Sequence, residues 1–140
     1  MLLNALQVDP GRNWKGIWRW YDDYNIKEMT EQQLKEGMTL KEFNFLAKRN
    51  GARSIAFSPL DGSKISDSTI KKTTYSLFQN CLAASTKSNY LLMTLNFSRK
   101  ALGQTGSGHF SPIAAYNSTK NLALVLDVAK FKYDSYWCPV

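Results

Sequence analysis

The sequence predicts an α+β fold, a helical N-terminal half followed by an antiparallel β-sheet half. Three observations carry this. Capped amphipathic stretches fill the chain up to about residue 84, and short runs of β-formers follow from Tyr90 onward. The two periodicities do not interleave as a βαβ alternation requires.

The opening "MLLNALQ" is apolar enough for a short helix that stops before Asp9-Pro10, where proline ends helical pairing. Starting at residue 1 without a cap, it reads as a helix whose first turns lie upstream. "GRNWKGIWRWYDDY" gathers Trp14, Trp18, Trp20, Tyr21 and Tyr24, predicting a loop whose aromatics cap the core. Asp22 and Asp23 follow directly and would repel phosphates, which counts against a stacking platform for nucleic acid.

"TEQQLKEG" predicts a short helix with Thr30 as N-cap, Gln33 completing a capping box and Gly37 ending it. "MTLKEFNFLAKRNG" repeats the device with Thr39 and Glu42, a Met38–Phe43 staple and a stop at Gly51. "ARSIAFSP" alternates as a strand. "SDSTIKKTTYSLFQNCLA" spaces Ile70, Thr74, Leu77 and Cys81 along one helical face, which makes Cys81 a small core residue. "YLLMTLNF", "HFSPIAAY" and "LALVLDVAKF" read as strands. The predicted core packs helices around Phe43, Leu46 and Leu77 on strands holding Met93, Ile113 and Leu124.

At 140 residues, 44% hydrophobic and 13% aromatic, the chain suits one folded domain or part of one. A formal charge of +7 favours an acidic partner without choosing it. Cys81 and Cys138 form neither a CxxC nor a Cys/His cluster, which argues against a metal site and a disulfide scaffold. No signal peptide pattern opens the chain, and no run approaches the roughly 20 apolar residues of a membrane span. A cytoplasmic protein is expected, with no membrane or nucleic-acid partner.

His109 is the only histidine. It precedes "NSTK", which is turn chemistry, and Asp127 follows on the next run. Directly opposed residues of an antiparallel hairpin have numbers with a constant sum, and His109 with Asp127 gives 236. A turn centred on Ser118 therefore pairs them, and opposed Cβ atoms lie about 4.5–5.5 Å apart. At that separation the carboxylate accepts the imidazole Nδ1–H and stabilises the protonated ring. "GQTGSGH" lacks the spacing of a phosphate-binding loop. Its glycines, Gly108 among them, suit close approach of backbone to a substrate. A His–Asp pair calls for a serine or cysteine nucleophile as third member.

"LLNALQVDPGRNWKGIWRW", "QTGSGHFSPIAAYN" and "LALVLDVAKFKYDSYWCPV" resemble, in order and spacing, the consecutive signatures of the phytochelatin synthase family. The resemblance covers nearly the whole chain. It implies a papain-like fold with a Cys-His-Asp triad and γ-glutamylcysteinyl transfer from one glutathione to another or to a growing phytochelatin chain, releasing glycine. It implies cadmium or zinc as activators through metal-bound substrate thiolates, and no organic cofactor.

By the same resemblance His109 is the acid and base, and Asp127 orients it. Lys130 stands at the family's carboxylate-holding arginine, keeping the charge but not the bidentate fork. Tyr133 is a lining residue for the second substrate, and Gly108 adjoins the histidine. The family's nucleophilic cysteine matches a position before Met1, at the head of the opening helix, where the dipole favours a thiolate. The family domain also continues past "WCPV". The chain is thus expected to be an incomplete catalytic domain over residues 1–140, inactive by itself, with neither Cys81 nor Cys138 replacing the nucleophile. The alternatives are a hydrolase that only releases glycine from glutathione or its conjugates, and a non-catalytic fragment.

Overall fold

Thr30 and Thr39 each turn their hydroxyl onto a backbone N–H three residues on, and each receives a side chain in return. These capping boxes start two helices in the computed structural model, which describes residues 1–22, 25–58 and 68–140. The chain forms two compact units, Met1–Ser58 and Pro59–Val140. Asp23, Tyr24 and the Pro59 end of "ARSIAFSP" lie outside the described residues, as do Ser66 and Asp67.

In the first unit α1 spans Leu2–Ala5, α2 Glu31–Glu36 and α3 Leu40–Arg49. Gly51, just past α3, takes a left-handed φ of 92°, the conformation in which glycine ends a helix most cheaply. Among the described residues here Leu46, Tyr21 and Pro10 are buried apolar ones. Two asparagines stitch the loops together. Asn4 brackets Tyr21, donating to its carbonyl at 2.9 Å and accepting from its N–H at 2.8 Å. Asn50 accepts from Lys27 N–H at 2.8 Å and donates to Leu46 O at 2.8 Å.

Two expectations fail in this unit. Trp14, Trp18 and Trp20 are 52%, 69% and 51% exposed, so of the described aromatics in that run only Tyr21 enters the core. The Trp14 N–H to Trp18 O bond folds the segment into a tight loop instead. Residues 52–58 form no strand, because alternation supplies faces but not a neighbouring strand to complete a ladder.

The second unit opens on α4, Ser68–Ser85, followed by β1 Thr94–Ser98, a 3-10 helix over Arg99–Leu102, β2 Gly108–Asn117, β3 Leu122–Val125 and β4 Tyr136–Pro139. The strands form one antiparallel sheet in the order β1-β2-β3-β4. Leu82, Ile113, Ala123 and Val125 make its core, with Phe78, Met93, Phe97 and Tyr136 packed against them. The face of α4 turned inward carries Phe78 and Leu82, whereas Ile70 and Leu77 are exposed. In β3 the inward residues are Ala123 and Val125, which places Leu124 on the other face.

The β2–β3 register also departs from expectation. Opposed numbers sum to 239 from Asn117↔Leu122 to Ala115↔Leu124, and to 238 at Ile113↔Val125, where a bulge intervenes. His109 and Asp127 are therefore not opposed. β3 ends at Val125, two residues short of Asp127, while β4 is a strand that no alternation pattern announced.

Candidate active site

The bulge that shifts the register does not separate the pair. His109 is the second residue of β2, opposite Phe97 of β1, and its ring stands edge-on to Phe97 with centroids 6.0 Å apart. Asp127 sits where the chain leaves β3 and is fully buried. His109 Nε2 lies 3.2 Å from Asp127 Oδ1, at too oblique an angle for a hydrogen bond. Nε2, not Nδ1, thus faces the carboxylate. Nδ1 remains the nitrogen not taken by the acid.

The carboxylate belongs first to Arg99, the opening residue of the 3-10 helix and itself 4% exposed. Arg99 Nη2 donates to Oδ1 at 2.8 Å and Nη1 to Oδ2 at 2.9 Å, a bidentate fork. The Ala129 N–H adds a bond to Oδ1 at 2.9 Å, and the Tyr136 hydroxyl from β4 donates to Oδ2 at 3.4 Å. Burial pushes the Asp127 carboxyl up, but the Arg99 and Ala129 donors and the Arg99 charge outweigh it and hold it below its ordinary value. His109 is pushed down by burial and by the Arg99 charge, against the pull of Asp127.

Arg99 also ties this group to the glycine-rich loop. Its N–H donates to Ser107 O at 2.7 Å, it receives Gln104 N–H on its carbonyl at 2.9 Å, and Nη1 donates to Gln104 Oε1 at 2.7 Å. Its guanidinium lies 4.9 Å from the centre of the Tyr133 ring, a cation–π contact. The Tyr133 oxygen accepts from Thr105 N–H at 2.9 Å, and its hydrogen bonds with Thr105 draw its ionisation down.

The structure therefore brings together His109, Asp127 and Tyr133, with Gly108 preceding His109 in β2. Lys130 lies in the exposed turn after Asp127. Its ammonium makes no hydrogen bond or ion pair with the described residues. Arg99, Gln104 and Tyr136 were not singled out from the sequence. Neither sulfur is bonded to His109 among the described residues. Cys138 packs against the core, where burial raises its thiol and so opposes a thiolate, and Cys81 is half-buried in α4. The described residues hold no cluster of three His, Cys, Asp or Glu side chains able to bind a metal. No described helix is long and apolar enough to cross a membrane.

The family model for phytochelatin synthase matches residues 1–140. The chain belongs to the phytochelatin synthase family. It is 41% identical over 140 residues to the glutathione gamma-glutamylcysteinyltransferase of Schizosaccharomyces pombe, covering 98% of this chain and 31% of that one. Glutathione gamma-glutamylcysteinyltransferases 1 and 2 of Arabidopsis thaliana are 39% and 38% identical over 142 residues, the whole of this chain and 27% and 29% of their own lengths. The chain thus spans under a third of these phytochelatin synthase relatives, and within that span it carries the His109–Asp127 pair.

Proposed function

We propose that this chain carries the proton-transfer half of a papain-like γ-glutamylcysteinyltransferase that builds phytochelatins from glutathione in the cytoplasm. The observation that supports it is the ring of His109, set by Nε2 against a buried, arginine-held carboxylate while Nδ1 stays available. In this reading a cysteine thiol gives its proton to Nδ1 and its sulfur attacks the Cys–Gly carbonyl of glutathione. His109 returns the proton to the departing glycine amine, leaving a thioester. The amine of a second glutathione, or of a phytochelatin chain, then attacks the thioester carbonyl. His109 takes the proton from that amine and returns it to the leaving sulfur.

Cadmium or zinc enters with the substrate, on its thiolates. Lys130 is assigned a substrate carboxylate. Tyr133, its hydroxyl engaged by Thr105, lines the second-substrate side, and Gly108 lets substrate backbone approach.

Since no thiol meets His109 among the described residues, the 140-residue chain is expected to form no labelled acyl-enzyme with glutathione. A protein extended upstream through the family's cysteine-bearing segment is expected to make oligomeric γ-glutamylcysteine chains from glutathione and cadmium, and His109→Ala in it to abolish them. Covalent labelling of the 140-residue chain would move the nucleophile to Cys81 or Cys138. Production of γ-glutamylcysteine and glycine alone would favour a hydrolase.

A further inference from the structure

We propose that Ser111 is a positioning residue whose hydroxyl accepts the Nε2–H of His109 and so fixes the imidazole ring. The inference rests on reading His109 and Asp127 as the acid–base pair of the transferase.

Among the described residues two buried side-chain atoms have no hydrogen-bond partner, His109 Nε2 and Ser111 Oγ. They are neighbours. His109 and Ser111 oppose Phe97 and Leu95 of β1, both packed against the core. The two therefore share one face of β2, roughly 7 Å apart along the strand. On the other side of β2, Ile113 pairs with Val125, and the Leu126 N–H donates to Pro112 O at 2.9 Å. The same spacing carried one residue further puts Asp127 beside Ser111. Nε2, 3.2 Å from Asp127 Oδ1, thus leans along the strand toward the serine.

A lone pair on Nε2 would face the lone pairs of an ionised carboxylate, so Nε2 carries a ring proton. That holds whether or not Nδ1 is also protonated. Asp127 is poorly placed to accept this N–H. A carboxylate offers about four lone-pair sites. Here they are met by Arg99 Nη2 and the Ala129 N–H at Oδ1, and by Arg99 Nη1 and the Tyr136 hydroxyl at Oδ2.

Ser111 is 0% exposed, and a buried hydroxyl without a partner costs stability that alanine would not. One rotation about its Cα–Cβ bond, among three staggered positions, lets Oγ meet the Nε2–H and satisfies both atoms. The carboxylate then supplies charge and the hydroxyl supplies direction. In the transferase reading the ring is held at Nε2 while Nδ1 passes the proton from the thiol to the departing glycine amine.

Because His109 is the only histidine, proton–nitrogen NMR of the 140-residue chain reads its ring without substrate or turnover. The wild type is expected to show an Nε2–H resonance slow to exchange with water, and Ser111→Ala to lose it. Ser111→Thr and Ser111→Val share their shape and any overpacking, and differ in the hydroxyl alone. The resonance is expected to persist with threonine and vanish with valine. Its absence from the wild type, its persistence unchanged in Ser111→Ala, or matching threonine and valine variants would overturn the proposal. Should the larger pair not fold, the alanine variant decides. In the upstream-extended protein kcat is expected to fall in the same order with KM for glutathione unchanged, and equal kcat for threonine and valine would also overturn it. An extended protein that makes no phytochelatin would refute the transferase reading instead, and the ring resonance would still test Ser111.

Discussion

Leu82 and Leu77 lie on the same helix, and only one of them holds the second unit together. Leu→Ala deletes three carbons, at about 0.8 kcal/mol each in transfer free energy, or roughly 2.4 kcal/mol for a fully buried side chain. Leu82 is 0% exposed and clusters with Ile113, Ala123 and Val125, so its removal leaves a closed void. The total should reach about 3–5 kcal/mol. Leu77 is 50% exposed, which halves the transfer loss to roughly 1.2 kcal/mol with no void, and the better helix propensity of alanine returns a few tenths. Urea unfolding followed by the amide signals of β2 and β3 isolates this unit from Met1–Ser58. Equal midpoints for Leu82→Ala and Leu77→Ala, or a larger loss at Leu77, would refute the assigned face of α4.

Acid should unfold the second unit in two windows. His109 is lowered from 6.5, so the unfolded chain takes up its proton first, and stability is lost as pH falls from 6.5 toward the folded value. Asp127 is lowered from 3.8, so its contribution holds above 3.8 and is lost as pH falls below that through the folded value. Melting temperature against pH should show both, and Asp127→Asn should remove the lower one; a flat profile between pH 7 and 5 would contradict the burial of His109. By urea midpoints, Gly51→Ala should cost its unit more than Gly103→Ala costs the second unit. Both have positive φ, worth roughly 1–2 kcal/mol to a side chain, but at Gly103 a Cβ would meet nothing within 4 Å, whereas at Gly51 it would strike Val8 Cγ1 at 2.9 Å.

Where the sequence codes structure through neighbours a few residues apart, it could be read closely. The boxes at Thr30–Gln33 and Thr39–Glu42 and the stop at Gly51 are local chemistry, and each stands where the pattern placed it. What failed depends on contacts distant in sequence. An apolar stripe on α4 could be drawn through Leu77 or through Phe78 and Leu82, and only the sheet that meets the helix decides between them. Alternation in "ARSIAFSP" could not reveal the lack of a partner strand, and "YWCP" is too short to show alternation before β3 supplies its ladder.

The site divides along the same line. His109 and Asp127 stand out by rarity and motif, yet their meeting was inferred from a register the molecule does not use. A bulge between Ile113 and Ala115 and the early end of β3 bring Asp127 to the ring by another route. Arg99 carried no signal of its own, since an arginine after a strand is ordinarily a solvated charge. Its role follows from Asp127 being buried. A carboxylate wholly removed from water needs a counter-charge or must be neutral, and His109, 21% exposed and obliquely placed, does not supply one. A buried aspartate beside the only histidine thus implies a second cation, and the sequence supplies it at the turn that leads into the glycine-rich loop.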